Sequence, residues 1–354
     1  MVKRRRSASG WAGLVSRSVK ALSRLVAAPP RKRTRVAAKR IQDAARRPAP
    51  RGAAERAPDA AGDWLSGIAP GPTGPHRYRL YRPPGTGRAE TLPLMVMLHG
   101  CGQDAETFAA CTRMNAIAAR ERFLVLYPQQ DRLSNAQGCW NWFATRSGRA
   151  RGEVAAILSA IDQACVLYRA DRSRVAIAGL SAGASMAALL AVAHPTRFAA
   201  VAMHSGVGPG TAQSSATALA AMQGRRHAAP IEPAGGATLP PLLVIQGTLD
   251  RIVAPSNGRA AVQSWVAAGA AASSVPARES APRRVQRGQR HAMDITDFKR
   301  RGRLVATLIE VAGLGHSWSG GAARQAFSDP AGPSASRLVW AFVARQFAAA
   351  ATTS

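Results

Sequence analysis

Gly179-Leu180-Ser181-Ala182-Gly183 brings a nucleophilic residue type into a setting that can use it. A serine hydroxyl is a weak nucleophile at neutral pH. It needs a base beside it, an acid to orient that base, and donors for the oxyanion that forms. The pentapeptide follows Arg174-Val175-Ala176-Ile177-Ala178, which reads as a buried strand, and runs into residues 184–193, which read as a helix. Strand, Gly-flanked turn and helix make a nucleophile elbow. The serine is pushed into an exposed, strained conformation there, and larger neighbours would collide.

The candidate partners lie downstream. Asp250 ends Gln246-Gly247-Thr248-Leu249-Asp250, just past the apolar run 241–245. His316 lies in Gly313-Leu314-Gly315-His316-Ser317-Trp318, just past the apolar run 304–311. Both follow a strand's C-terminal end, where open α/β sheets keep their ligands. Read singly, Asp250 could cap the helix after Pro255, and His316 could be an ordinary hydrogen-bonded loop residue. The order serine, acid, histidine after successive strands favours a triad. His316 then takes the serine proton and returns it to the leaving group, while Asp250 fixes the imidazole tautomer. One oxyanion donor is the Ala182 N–H. The other is assigned to Cys101 in His99-Gly100-Cys101-Gly102-Gln103, which follows the strand 94–98, with Gly100 as the alternative. His99 reads as structural.

These residues need a frame. Strand-like runs at 76–82, 94–98, 123–126, 175–178, 199–203, 242–245 and 304–311 alternate with helical runs at 107–120, 152–168, 182–193, 256–268 and 335–347. That alternation predicts an α/β protein with a mostly parallel central sheet and helices on both faces. Residues 208–239 read as a lid-like excursion, and the Arg-rich stretch 283–301 as a surface excursion before the final strand. The chain divides into a basic low-complexity arm, 1–60, and a catalytic domain, 61–354.

Five separated motifs occur together: His99-Gly100-Cys101-Gly102-Gln103, Leu126-Tyr127-Pro128-Gln129-Gln130, Cys139-Trp140-Asn141-Trp142-Phe143, residues 179–183, and Gly315-His316-Ser317-Trp318-Ser319-Gly320-Gly321. In this order, across about residues 75–348, the chain resembles the polyhydroxybutyrate (PHB) depolymerase family of esterases. That family belongs to the α/β-hydrolase superfamily, close to the feruloyl and acetylxylan esterases. The resemblance implies an α/β-hydrolase fold and a carboxylic-ester hydrolase acting on poly(3-hydroxybutyrate) or short-chain hydroxyalkanoate esters through an acyl-enzyme. Feruloyl or acetylxylan ester hydrolysis is the alternative. It also implies a disulfide between Cys101 and Cys139, and it places Trp140, Trp142 and Trp318 around the site. Trp140 and Trp318 read as lining an acyl or polymer cleft, while Trp142 divides evenly between cleft and packing. Cys111 and Cys165 read as buried free thiols.

Charge sets the remaining expectations. The formal net charge is +29, and residues 1–56 carry 17 Lys and Arg against Asp43 and Glu55, a net +15. Trp11, Leu14, Val15, Leu22, Leu25 and Val26 recur there at helical spacing, opposite Arg17, Lys20 and Arg24. Such a basic amphipathic helix suits an anionic surface, here a polyester granule or membrane, with a largely disordered stretch after it. A hydrolase-fold binding protein working through this arm is the second function class. The chain lacks a zinc finger, helix-turn-helix or RNP-like motif, which argues against nucleic acid as the main partner. No cofactor is implied, and His194, His204, His227 and His291 show no metal-ligand spacing with carboxylates. His204 reads as shaping the site rim. Arg17, Lys20 and Arg24 break the apolar core a secretory signal requires, and no run is long enough for a transmembrane segment. The expected location is cytoplasmic or granule-associated. A disulfide expects an oxidising compartment, and secretion stays open because relatives of this kind are often extracellular.

Overall fold

The computed structural model describes residues 60–72, 74–270 and 275–351. The expectations for the N-terminal arm lie outside these residues. The strands are β1 (Asp63–Ala69), β2 (His76–Arg82), β3 (Leu92–Leu98), β4 (Leu124–Pro128), β5 (Ala170–Leu180), β6 (Ala200–His204), β7 (Leu242–Gly247), β8 (Arg278–Glu279), β9 (Arg283–Val285), β10 (Met293–Arg300), β11 (Arg303–Val311), β12 (Trp318–Ser319) and β13 (Ser328–Asp329). The helices are α1 (Ala105–Thr112), α2 (Met114–Glu121), α3 (Arg149–Leu167), α4 (Ala182–Ala193), α5 (Ser215–Met222), α6 (Ser256–Ala270) and α7 (Ala335–Ala351).

The central strands are apolar on both sides, and successive residues feed two separate cores. Leu94, Val96 and Leu98 of β3, with Val175 and Ile177 of β5, join one core. Met95 and Met97, with Ala176 and Ala178, join the other. Helices α3, α4 and α6 close the first core through Val154, Ile157, Met186, Val262 and Trp265. Helices α1, α2 and α7 close the second through Phe108, Met114, Ile117, Phe342 and Val343. This is the period-two alternation of a sheet buried on both faces.

Strand order along the main sheet is β1-β2-β4-β3-β5-β6-β7-β11-β10-β8, with β9 also paired to β10. The centre, β4-β3-β5-β6-β7-β11, is parallel throughout. Strands β1 and β2 on one side and β10, β8 and β9 on the other add antiparallel pairs. This is the α/β arrangement expected, widened at both edges. The Arg-rich stretch is therefore a correction: 283–285 and 293–300 are sheet strands, with Ile295 paired to Ile309 and Phe298 buried. β10 lies between β11 and the short outer strands β8 and β9, and it is β8 and β9 whose arginines face water.

The single helix expected over 107–120 is also divided. Arg113 takes a left-handed φ of 54° between α1 and α2. The carbonyls at the break are taken from outside the helix. Ala322 N–H donates to Cys111 O at 3.0 Å, and the Ser336 hydroxyl donates to Thr112 O at 2.6 Å. Among the described residues no helix is long and apolar enough to cross a membrane.

The turn after β5 is the tightest junction in this frame. A Cβ on Gly183 would sit 2.2 Å from Leu98 O and 2.5 Å from His99 O, and one on Gly179 would sit 2.4 Å from the Gly183 carbonyl. Only glycine lets β3, the turn and the start of α4 approach this closely. Replacing Gly183 with Ala is expected to cost about 1–3 kcal/mol of stability through overpacking against fixed backbone, read as a lowered urea midpoint. An unchanged midpoint would mean that β3 and α4 separate easily.

Candidate active site

Four loops at the C-terminal edge of the parallel strands carry the candidate residues. Ser181 follows β5, the His99–Gln103 loop follows β3, Asp250 follows β7, and His316 follows β11. Register brings the last two together: Gly247 pairs with Val311, and beyond them Leu249 N–H donates to Leu314 O at 3.0 Å. Gly313 N–H also donates to the Thr248 hydroxyl at 3.0 Å. A Cβ on Gly247 would meet Leu314 O at 2.3 Å, so the acid loop and the histidine loop pack backbone to backbone.

Asp250 and His316 are joined directly, Nδ1 to Oδ2, at 2.7 Å. The second carboxylate oxygen accepts the N–H groups of Ile252 and Val253, each at 2.9 Å, and Gln246 Nε2 lies 3.3 Å from Oδ2. Burial pushes this carboxyl upward, but the hydrogen bond to His316, its charge and the two amides outweigh burial and hold it below the ordinary carboxylate range. An ionised Asp250 keeps the proton on Nδ1 and turns the free Nε2 lone pair outward.

Ser181 sits at φ 56°, ψ −120°, and its N–H donates to His204 O at 2.9 Å. A positive φ at a non-glycine residue is the strain an elbow imposes. Among the described residues its hydroxyl makes no hydrogen bond to His316. A base-to-nucleophile contact of this kind often tightens only with substrate in place. The His99–Gln103 loop lies against the serine: a Cβ on Gly100 would be 3.6 Å from Ser181 Cβ. Gly100 N–H is spent on Gln103 Oε1 at 3.0 Å, and Gly102 N–H on Gln137 O at 2.9 Å. Among the described residues the N–H groups of Cys101 and of Ala182, first in α4, have no partner. Of the two donors weighed from sequence, Cys101 is the one left free. Its side chain is tied to Cys139 by a disulfide, while Cys111 and Cys165 are free, the first buried and the second partly so.

The tryptophans require a correction. Trp140 and Trp318 are each 1% exposed and Trp142 is 7% exposed, so they pack in the interior and do not face an open cleft. Trp318 lies edge-on to Phe108, stacks on His204 and gives its indole N–H to the Ser336 hydroxyl at 3.0 Å. Trp140 packs on His99 with ring centroids 5.5 Å apart. His204 is likewise beneath the site and not on its rim. Its Nε2 accepts Ser319 N–H at 3.2 Å, and burial, then the charge of His316, pushes its pKa down to about 3. A neutral imidazole under the serine turn braces the elbow against the histidine loop.

Sequence reading passed over Glu153. This carboxylate in α3 is 1% exposed and holds the segment bearing Trp140 and Trp142 by accepting Asn141 N–H at 2.8 Å. One signal was available: Glu153 falls in the stripe Ala150, Val154, Ile157 and Ile161 that faces the core.

Residues 76–285 match the family described as Esterase PHB depolymerase. Poly(3-hydroxyalkanoate) depolymerase C of Paucimonas lemoignei is 30% identical over 203 residues, 54% of this chain and 49% of that protein. Feruloyl esterase B of Neurospora crassa is 34% identical over 116 residues, 32% of this chain and 39% of its own. The chain thus spans about half or less of these relatives' length. Among solved structures, acetyl xylan esterase from Aspergillus awamori superposes with a TM-score of 0.60 at 21% identity, covering 73% of this chain and 94% of that one, a likeness of fold.

The carboxylate of Asp250 also has a thermodynamic signature. A carboxyl held below its ordinary value contributes stability that is complete above the unfolded-state pKa, about 4, and lost as pH falls through the folded value. The unfolding free-energy gap between wild type and Asp250→Asn is therefore expected to be constant above about pH 5 and to shrink below about pH 4. A gap independent of pH in denaturant titrations would show that the carboxylate is not held ionised.

Proposed function

Because this chain belongs to the PHB depolymerase family of esterases, we propose that it is a serine carboxylic-ester hydrolase whose substrates are poly(3-hydroxybutyrate) or short-chain hydroxyalkanoate esters. The observation that carries this reading is the Asp250–His316 hydrogen bond, brought by neighbouring strand ends to the same sheet edge as a serine held at positive φ. In acylation Ser181 Oγ attacks the ester carbonyl while His316 Nε2 takes its proton. Asp250 stabilises the resulting imidazolium without accepting a proton itself. The N–H groups of Cys101 and Ala182 receive the oxyanion. Collapse of the tetrahedral intermediate breaks the ester C–O bond, and His316 passes its proton to the departing alcohol. A water, deprotonated by His316, then attacks the acyl-enzyme and releases the acid and free Ser181.

The likeness to feruloyl esterase B favours a second reading, hydrolysis of feruloyl or acetylxylan esters by the same residues. The net +15 of residues 1–56 suits a supporting role for the arm on an anionic granule or membrane surface.

The deciding measurement compares wild type with Ser181→Ala on p-nitrophenyl esters from acetyl to octanoyl, on soluble hydroxybutyrate oligomers and on a feruloyl ester. The expected result is a wild-type preference for hydroxybutyrate oligomers and a loss of at least about a thousandfold in kcat for the variant. A preference for the feruloyl ester would move the substrate to the second reading. A folded wild type inactive on every ester would overturn the hydrolase assignment.

A further inference from the structure

Behind the oxyanion loop lies a buried carboxylate that no step above uses. Glu153 is 1% exposed, and its hydrogen-bond partners are all amide N–H groups: Oε1 accepts from Gln130 Nε2 at 2.7 Å and Asn141 Nδ2 at 2.5 Å, and Oε2 accepts from the Asn141 backbone at 2.8 Å. A buried carboxylate ordinarily stands opposite a cation, because desolvating it is costly. This one is held by three neutral donors. Burial pushes its carboxyl above the usual range, against the pull of those same donors and, more weakly, of the Arg149 charge, which among the described residues makes no hydrogen bond to it.

Gln130 carries the constraint forward by two routes. Its backbone N–H donates to His99 Nε2 at 3.1 Å. The imidazole proton must then sit on Nδ1, which lies 2.9 Å from Gly100 O and donates to it. Its side-chain Nε2 also donates to Cys139 O at 3.0 Å, and Cys139 is covalently joined to Cys101. Both routes end on the Gly100–Cys101 peptide. In a trans peptide the C=O and the following N–H lie in one plane and point opposite ways. The described residues contain no cis bond. A donor locked onto Gly100 O therefore sets the direction of the Cys101 N–H.

We propose that Glu153 is the positioning residue for the oxyanion donor: through Gln130, His99 and the Cys139 disulfide it fixes the plane of the Gly100–Cys101 peptide and so aims the Cys101 N–H. This rests on the serine-esterase reading above. The role needs a carboxylate. A glutamine amide in its place would set an N–H donor against at least one of the three N–H groups that Glu153 now accepts.

Glu153→Gln, nearly equal in shape, is the test, with p-nitrophenyl acetate as substrate and a short-chain trifluoromethyl ketone as probe. Ser181 Oγ adds to the ketone carbonyl carbon, His316 takes the hydroxyl proton, and the carbonyl oxygen is left as an alkoxide where the oxyanion forms. A displaced donor is expected to lower kcat roughly 10- to 100-fold, somewhat less than removing a donor outright, with KM within about twofold of wild type. The ketone's Ki should rise by the same factor as kcat/KM falls. A merely structural defect would instead lower the burst amplitude and leave kcat per active site and Ki unchanged. Gln130→Met, which keeps the backbone N–H to His99 but removes the side-chain links to Glu153, Cys139 O and the Asp131 N–H, should shift kcat and Ki in opposite senses, kcat down and Ki up. It carries the test if Glu153→Gln does not fold. A folded variant with wild-type kcat and Ki, beside an active and Ser181-dependent wild type, overturns the proposal alone. A wild type without esterase activity, or one unaffected by Ser181→Ala, overturns the underlying reading and the proposal with it.

Discussion

How near the turn after β5 can come to β3 decides whether a serine, its donors and its base can share one sheet edge. Gly179 and Gly183 set that distance, because any side chain at either position would enter the backbone of its neighbour. Close approach places Ser181 under strain and Ala182 at the head of α4, where its N–H has no intrahelical partner. It also lays the loop after β3 against the serine. The parallel sheet then supplies the rest without further strain. Strands β6, β7 and β11 follow β5 in lateral order, and each hands its own loop to the same side.

Three buried or half-buried histidines around this edge differ in role because their second nitrogens face different groups. His316 Nδ1 faces a carboxylate, which leaves Nε2 free for the base role proposed above. His204 and His99 each accept a backbone N–H at Nε2, so each carries its proton on Nδ1. Burial holds both below the usual imidazole range. They stay neutral and act as rigid spacers. Position in the hydrogen-bond network, more than residue type, separates chemistry from support.

Much of the architecture was legible because its cause is local. Strands apolar on both faces, separated by helical runs, announce a covered parallel sheet, and helix α4 begins and ends where the Ala-rich run after Ser181 does. What escaped was decided at a distance. No glycine marks the break at Arg113, since donors from residues 322 and 336 create it. The charges of β9 and β10 hid two sheet strands, although β10 sends Met293 and Ile295 to one core and Phe298 to the other. Tryptophan identity cannot tell a cleft wall from a core, and Trp140 and Trp318 went to the core. At the site, the order and setting of Ser181, Asp250 and His316 could be read as a candidate grouping, whereas Glu153 looks like any helical surface acid until its place in the buried stripe is noticed.

The Cys101–Cys139 bond has a consequence for how the proposed ester turnover would respond to surroundings. Hydrolysis transfers no electrons, and none of its acid–base steps involves sulfur. Yet the amide assigned to the oxyanion belongs to a half-cystine whose other end anchors the segment bearing Trp140. Thiol–disulfide exchange at that bond would free the loop without touching the triad. In the proposed esterase, the thiol poise of the medium would thereby bear on a reaction that itself transfers no electrons.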